Sequence, residues 1–101
     1  YGSHNEIHSA VMDMHNNNLQ KELSLEEITE SFYSYFQYPD IPYPDLLLRT
    51  AGEKRISNFL LYQLAYTELI FIDTLWPDVN QDILDNVLLE FKSRNRTYGK
   101  N

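Results

Sequence analysis

Asp45-Leu46-Leu47-Leu48-Arg49-Thr50-Ala51-Gly52, running on through Glu53-Lys54-Arg55-Ile56-Ser57 to Asn58, sets the fold class. Its opening is a short apolar run bounded by Pro44 and Gly52, which suits a β-strand buried on both faces. Gly52 marks a turn. Asn58 to Tyr66 is apolar nearly all round and reads as a short buried helix. Glu68-Leu69-Ile70-Phe71-Ile72 reads as a second buried strand. Strand, loop, helix, strand is a βαβ unit, which implies a parallel sheet and an α/β fold. Two strands this apolar expect cover on both faces and both edges, so the chain reads as part of a larger sheet.

Outward from this centre the pattern is helical. Residues 4–16 carry Ile7, Ala10, Val11 and Met14 at i, i+3, i+4, i+7 spacing, an amphipathic helix closed by Asn16, Asn17 and Asn18. Ser24 with Glu27 makes a capping box that opens a second helix. Its expected buried stripe is Leu25, Ile28, Phe32 and Tyr35, and it stops before Pro39. Pro39, Pro42 and Pro44 exclude regular structure between this helix and the first strand. Trp76-Pro77-Asp78 reads as a loop, and residues 80–96 as a last amphipathic helix with Ile83, Val87, Leu88 and Phe91 inward.

The chain has 101 residues and a formal net charge of -7, which argues against nucleic-acid binding, since a phosphate backbone needs a basic face. The cations are clustered instead. Arg49, Lys54 and Arg55 fall together, Lys92, Arg94, Arg96 and Lys100 fall together, and no Lys or Arg lies between Arg55 and Lys92. An acidic chain that concentrates its cations this way uses at least one cluster for an anion. There are no cysteines, hence no disulfide, thiolate metal site or Cys nucleophile. No apolar run is long enough to cross a membrane. His4 and His8 are i, i+4, but two ligands flanking an apolar stripe read as solvated edge residues rather than a zinc site.

The chemistry is concentrated between Arg49 and Ser57. In open α/β folds ligands sit at the carboxyl ends of the strands, where Arg49 is expected to stand. Arg55 adds a second guanidinium whose planar fork matches phosphate oxygens. Ser57 is expected at the N-cap of the following helix, its hydroxyl and the free N–H groups facing one point. Together these describe a diphosphate site. The same residues admit a structural reading, with Ser57 only a cap, Arg49 paired to Glu53 or Asp45, and Arg55 a solvated charge.

The run Asp45 to Gln63 closely resembles the C-terminal signature of the undecaprenyl diphosphate synthase, or cis-prenyltransferase, family: Asp, three apolar residues, Arg-Thr, a small residue, Gly, two variable positions, then Arg-x-Ser-x-Phe-Leu-Leu-Trp-Gln. Ala51 stands where the family has Ser or Gly, and Tyr62 where it has Trp. The likeness continues through Ala65-Tyr66-Thr67-Glu68-Leu69 and Leu75-Trp76-Pro77-Asp78. It also takes in Tyr1-Gly2-Ser3-His4-Asn5-Glu6-Ile7, similar to the family's Tyr-Gly-Gly-Arg-x-Glu-Ile with His4 replacing the Arg.

The resemblance implies that Arg49, Arg55, the backbone at Ile56, and Ser57 hold the head group of isopentenyl diphosphate, and that Glu68 is associated with Mg²⁺. It implies a cis-prenyltransferase that condenses isopentenyl diphosphate with an allylic prenyl diphosphate, acting as a homodimer. Location is expected to be cytoplasmic or peripheral at a membrane. The family's Asp-Gly-Asn motif has no match here, so residues 1–101 are expected to be the C-terminal portion of a single domain, without its N-terminal catalytic half and inactive alone. The alternative is a non-catalytic interaction subunit of a heteromeric enzyme. At the tail, the family's Arg-x-Gly reads Thr97-Tyr98-Gly99. Glu68 and Ser57 are expected at opposite ends of the sheet, which implies a site assembled between two subunits.

Overall fold

The computed structural model describes residues 2–94. They form two compact units, the first comprising the chain up to Pro42 together with Ser57–Tyr62, the second Tyr43–Ile56 with the chain from Gln63 onward. The tail around Arg96, Thr97-Tyr98-Gly99 and Lys100 lies outside the described residues, as does Tyr1.

In the first unit, helix α1 spans Ser3–Asn17. Its buried seam is Ser3, Ala10 and Met14, spaced i, i+7, i+11 and therefore narrow. Val11 steps off that seam and is 55% exposed, contrary to the expected stripe. The rings of His4 and His8 stack with centroids 6.3 Å apart. Helix α2 spans Leu25–Ser31, and its capping box is formed as expected. The Ser24 hydroxyl accepts from the Glu27 N–H at 3.1 Å, and Glu27 Oε1 accepts from the Ser24 N–H at 3.3 Å. The helix is shorter than its pattern suggests. Thr29 and Ser31 donate their hydroxyls back to the Leu25 and Glu27 carbonyls, an arrangement that bends helices, and the chain tightens into a 3₁₀ turn at Phe32–Tyr35. Leu25 (79% exposed) and Ile28 (38%) do not form the expected buried stripe. The unit's core is aromatic instead: Phe32, Tyr33 and Tyr62 surround the buried Phe36, with ring centroids 5.0–5.3 Å apart for the contacts of Phe36.

The helix expected over Asn58–Tyr66 does not form; the segment is a succession of turns. Ser57, Asn58 and Leu60 have φ of 49°, 64° and 46°, a region closed to a right-handed helix. In the first unit the backbone here is committed elsewhere. The Asn58 carbonyl accepts the Ser3 N–H at 2.8 Å, and the Leu61 N–H donates to the Ser3 hydroxyl at 2.9 Å. An all-round apolar helix also needs cover on every side, and Phe59 and Tyr66 remain exposed.

The second unit holds strands β1 (Leu46–Arg49) and β2 (Glu68–Phe71). They pair in parallel with Leu46 opposite Glu68 and Arg49 opposite Phe71, so the expected α/β architecture is present. Thr67 anchors the entry to β2 by donating its hydroxyl to the Pro44 carbonyl at 2.6 Å. Burial on both faces is not realised: β1 is half-buried throughout and only Ile70 of β2 is buried. Within the described residues of this unit, the two-stranded sheet is packed by one helix against β2. That helix, α3 (Gln81–Ser93), is capped by the Asn80 side chain accepting from the Ile83 N–H at 3.0 Å. Val87 is its buried contact, whereas Leu88 is 46% exposed, against expectation, because two short strands cover only a narrow line of the helix. Trp76–Asp78 is a 3₁₀ turn rather than an irregular loop.

Candidate functional site: the loop after the first strand

Arg49 ends β1, at the carboxyl edge of the parallel pair. The chain then turns through Ala51 and Gly52, with φ of 64° and 71°. Their N–H groups donate to the Thr74 and Ile72 carbonyls, each at 2.9 Å, which ties the start of the loop to the chain leaving β2. Gly52 is required twice over. Its φ is left-handed, and a Cβ there would stand 3.2 Å from Asp73 Oδ1.

The loop's two guanidinium positions are linked directly, because Arg49 Nη1 donates to the Arg55 carbonyl. The Arg55 side chain is 77% exposed, and its carboxylate neighbour Glu53 is 4.0 Å away. An exposed pair at that distance contributes almost nothing to stability, so the Arg55 guanidinium is open to a stronger anion. Lys54 is exposed beside it, and Ile56, half-buried, closes this part of the second unit. Ser57 opens the next stretch of the first unit. It is exposed and left-handed, and with no helix following it the expected N-cap and helix dipole are not part of the site. Arg49, Arg55 and Ile56 therefore share one loop of one unit, with Ser57 next in the chain.

Glu68 lies elsewhere. The register puts it level with Leu46, at the amino end of the strands, about 10 Å along the sheet from Arg49. Its surroundings hold a residue whose role the sequence hides. Arg94 donates to the Leu69 carbonyl at 2.9 Å, pairs with Glu90 at 2.9 Å, and stands 3.9 Å from the Glu68 carboxylate. The N–H groups of Glu68 and Ile72 point to β1, so Leu69 faces the opposite edge of β2 and Arg94 occupies that edge. The i, i+4 spacing of Glu90 and Arg94 was the only signal of this network in the sequence.

Among the described residues no three His, Cys, Asp or Glu side chains are grouped so as to hold a metal ion. Glu68 offers a single carboxylate, shared with a guanidinium. This chain's described residues fit one ligand of a Mg²⁺ site and not a complete site.

The family model described as undecaprenyl diphosphate synthase matches residues 1–99. An isoprenyl transferase of Bacillus cereus is 44% identical over 100 residues, 98% of this chain and 39% of that protein. A Pyrococcus furiosus tritrans,polycis-undecaprenyl-diphosphate synthase (geranylgeranyl-diphosphate specific) is 43% identical over 101 residues, 99% of this chain and 38% of that protein. The crystal structure of lavandulyl diphosphate synthase from Lavandula x intermedia, in complex with dimethylallyl diphosphate, superposes with a TM-score of 0.87 at 32% identity. It covers 99% of this chain and 44% of that one. This chain thus spans about two fifths of the length of the curated relatives it matches.

Proposed function

The chain belongs to the undecaprenyl diphosphate synthase family, and from that premise we propose that it is the C-terminal portion of a single cis-prenyltransferase domain. In this reading the complete enzyme joins isopentenyl diphosphate to an allylic prenyl diphosphate, forming a cis double bond, and this chain carries the isopentenyl diphosphate half-site. The observation that carries the reading is the tie between Arg49 and the Arg55 carbonyl, which holds two guanidinium-bearing positions in one loop at the carboxyl end of a strand.

The mechanism assigned to these residues is positioning. The guanidiniums of Arg49 and Arg55 and the hydroxyl of Ser57 bind the diphosphate, and the Ile56 backbone adds a polar contact. With the head group fixed, the alkene is held near the allylic carbon and reaction becomes effectively intramolecular. Mg²⁺, with Glu68 as one of its ligands, would offset charge growing on the departing diphosphate. Glu68 and Arg49 stand at opposite ends of the strands, which supports a homodimer in which the two serve one substrate pair from different subunits. No described helix is long and apolar enough to cross a membrane; in this reading the location is cytoplasmic or peripheral at a membrane. The 101-residue chain alone is inactive in this reading.

The test is Arg55→Ala in the complete enzyme. The expected result is a KM for isopentenyl diphosphate raised at least tenfold, roughly the loss of one charge-assisted hydrogen-bonded contact, with the KM for the allylic substrate little changed. Equal losses for both substrates would reject the assignment.

A further inference from the structure

We infer that Asn58 is a positioning residue for the Ser57 hydroxyl, acting by docking the turn that follows the arginine loop onto the amino end of α1. This inference rests on the reading of Ser57 as a diphosphate ligand. It concerns contacts within the first unit only.

The amino end of α1 lacks a side-chain cap of its own, because its N-cap residue is Gly2. The first N–H groups of a helix need acceptors, and here a residue far along the chain supplies them. The Asn58 carbonyl accepts from Ser3 at 2.8 Å, and Asn58 Oδ1 accepts from His4 at 2.9 Å. One asparagine therefore satisfies two consecutive donors at the helix terminus, where the helix dipole strengthens bonds to acceptors. The dock is reinforced from the other side. Ser3, fully buried, accepts the Leu61 N–H on its hydroxyl at 2.9 Å. The fit at Gly2 is close, since a Cβ there would stand 3.3 Å from Asn58 Nδ2.

Docking has a conformational consequence one residue upstream. Ser57 and Asn58 both sit in the left-handed region, at φ 49° and 64°. Asn tolerates that region; Ser does so less well. A non-glycine residue stays there only when its surroundings hold it, and such residues cluster at functional sites. The contacts of Asn58 supply that hold. They fix the Asn58 side chain and the peptide after it, which anchors the chain directly beyond Ser57 and so limits where the Ser57 hydroxyl points. Asn58 is not placed against the ligand; its effect passes through Ser57.

The experiment compares Asn58→Gly, Asn58→Asp and Ser57→Ala in the complete enzyme, reading both KM values, kcat and Tm. Asn58→Gly keeps the left-handed backbone and removes the side-chain acceptor. It is expected to raise the KM for isopentenyl diphosphate about five- to tenfold, the scale of a lost helix cap, while the allylic KM stays within about twofold. Asn58→Asp retains an oxygen for the His4 N–H and is expected to stay closer to the parent than Asn58→Gly. A lowered Tm with both KM values unchanged, or both raised equally, would overturn the inference by reducing Asn58 to a structural cap. If Ser57→Ala leaves the isopentenyl diphosphate KM unchanged, the reading of Ser57 itself fails. If Ser57→Ala raises it and Asn58→Gly does not, only the positioning role fails.

Discussion

Replacing Arg94 with Ala should destabilise the protein by about 2 kcal/mol, chiefly through a bond to a backbone carbonyl rather than through its ion pairs. The bond to Leu69 has a charged donor and a good length of 2.9 Å. Such bonds contribute about 1.5–3 kcal/mol, and the lower end applies because the Arg94 side chain is 32% exposed. The Glu90 pair is i, i+4 on a surface where Glu90 is 53% exposed, worth roughly 0.3–0.5 kcal/mol. Glu68, at 3.9 Å, adds less than about 1 kcal/mol in partly screened surroundings. Arg94→Lys should lose about half of the total, because a single ammonium cannot fork between Leu69 and Glu90 as a guanidinium does. Urea denaturation of Arg94→Ala, Glu68→Gln, Glu90→Gln and the double variants measures each contribution, and the cycles isolate the pairwise couplings. A loss below about 0.5 kcal/mol for Arg94→Ala, or a Glu68→Gln loss as large as that of Arg94→Ala, would refute the reasoning, since either means that the carbonyl bond is not the dominant contact.

Other consequences can be checked on the same preparations. Gly52→Ala forces a side chain into a left-handed position at φ 71° beside Asp73 and should cost about 1–2 kcal/mol; an unchanged Tm would show that the turn has another conformation. Ile70→Ala, at the one buried position of β2, should cost about 2–5 kcal/mol in the same denaturation assay. The Glu27 carboxyl is held below its usual range first by the Lys21 side chain and then by the Ser24 hydrogen bonds. A depressed folded-state pKa gives stability that is present above the unfolded value and lost as pH falls through the folded one. The Tm difference between the parent and Glu27→Gln should therefore be present at pH 7, shrink as pH falls below the usual glutamate range and vanish in stronger acid; a difference that persists in strong acid would contradict the pairing.

Much of the fold was legible because it depends on local chemistry. β1 and β2 are short apolar runs between Pro, Gly and polar punctuation, and Ser24 with Glu27 announces a helix start through atoms three residues apart. The segment after Ser57 was not legible. Its apolar pattern suits a helix, but Asn58 spends its backbone and side-chain oxygens on Ser3 and His4, and periodicity carries no information about a partner so far along the chain. Arg94 was hidden for the same reason, its chief acceptor being the Leu69 carbonyl. Helical spacing also overstated burial at Val11, Ile28 and Leu88, since it identifies a face without saying how much of that face finds cover. In the candidate site, residue type alone singled out Arg49 and Arg55, because paired guanidiniums near a turn glycine have a recognisable use. The bond that links them, and the left-handed backbone that replaces the expected helix cap at Ser57, required the structure.

The most direct measurement is a crystal structure of the complete enzyme with isopentenyl diphosphate bound. The account predicts the diphosphate seated on the loop after β1, with oxygens about 3 Å from the Arg49 and Arg55 guanidiniums and from Ser57 Oγ. A head group bound elsewhere, with those guanidiniums turned onto carboxylates, would contradict it.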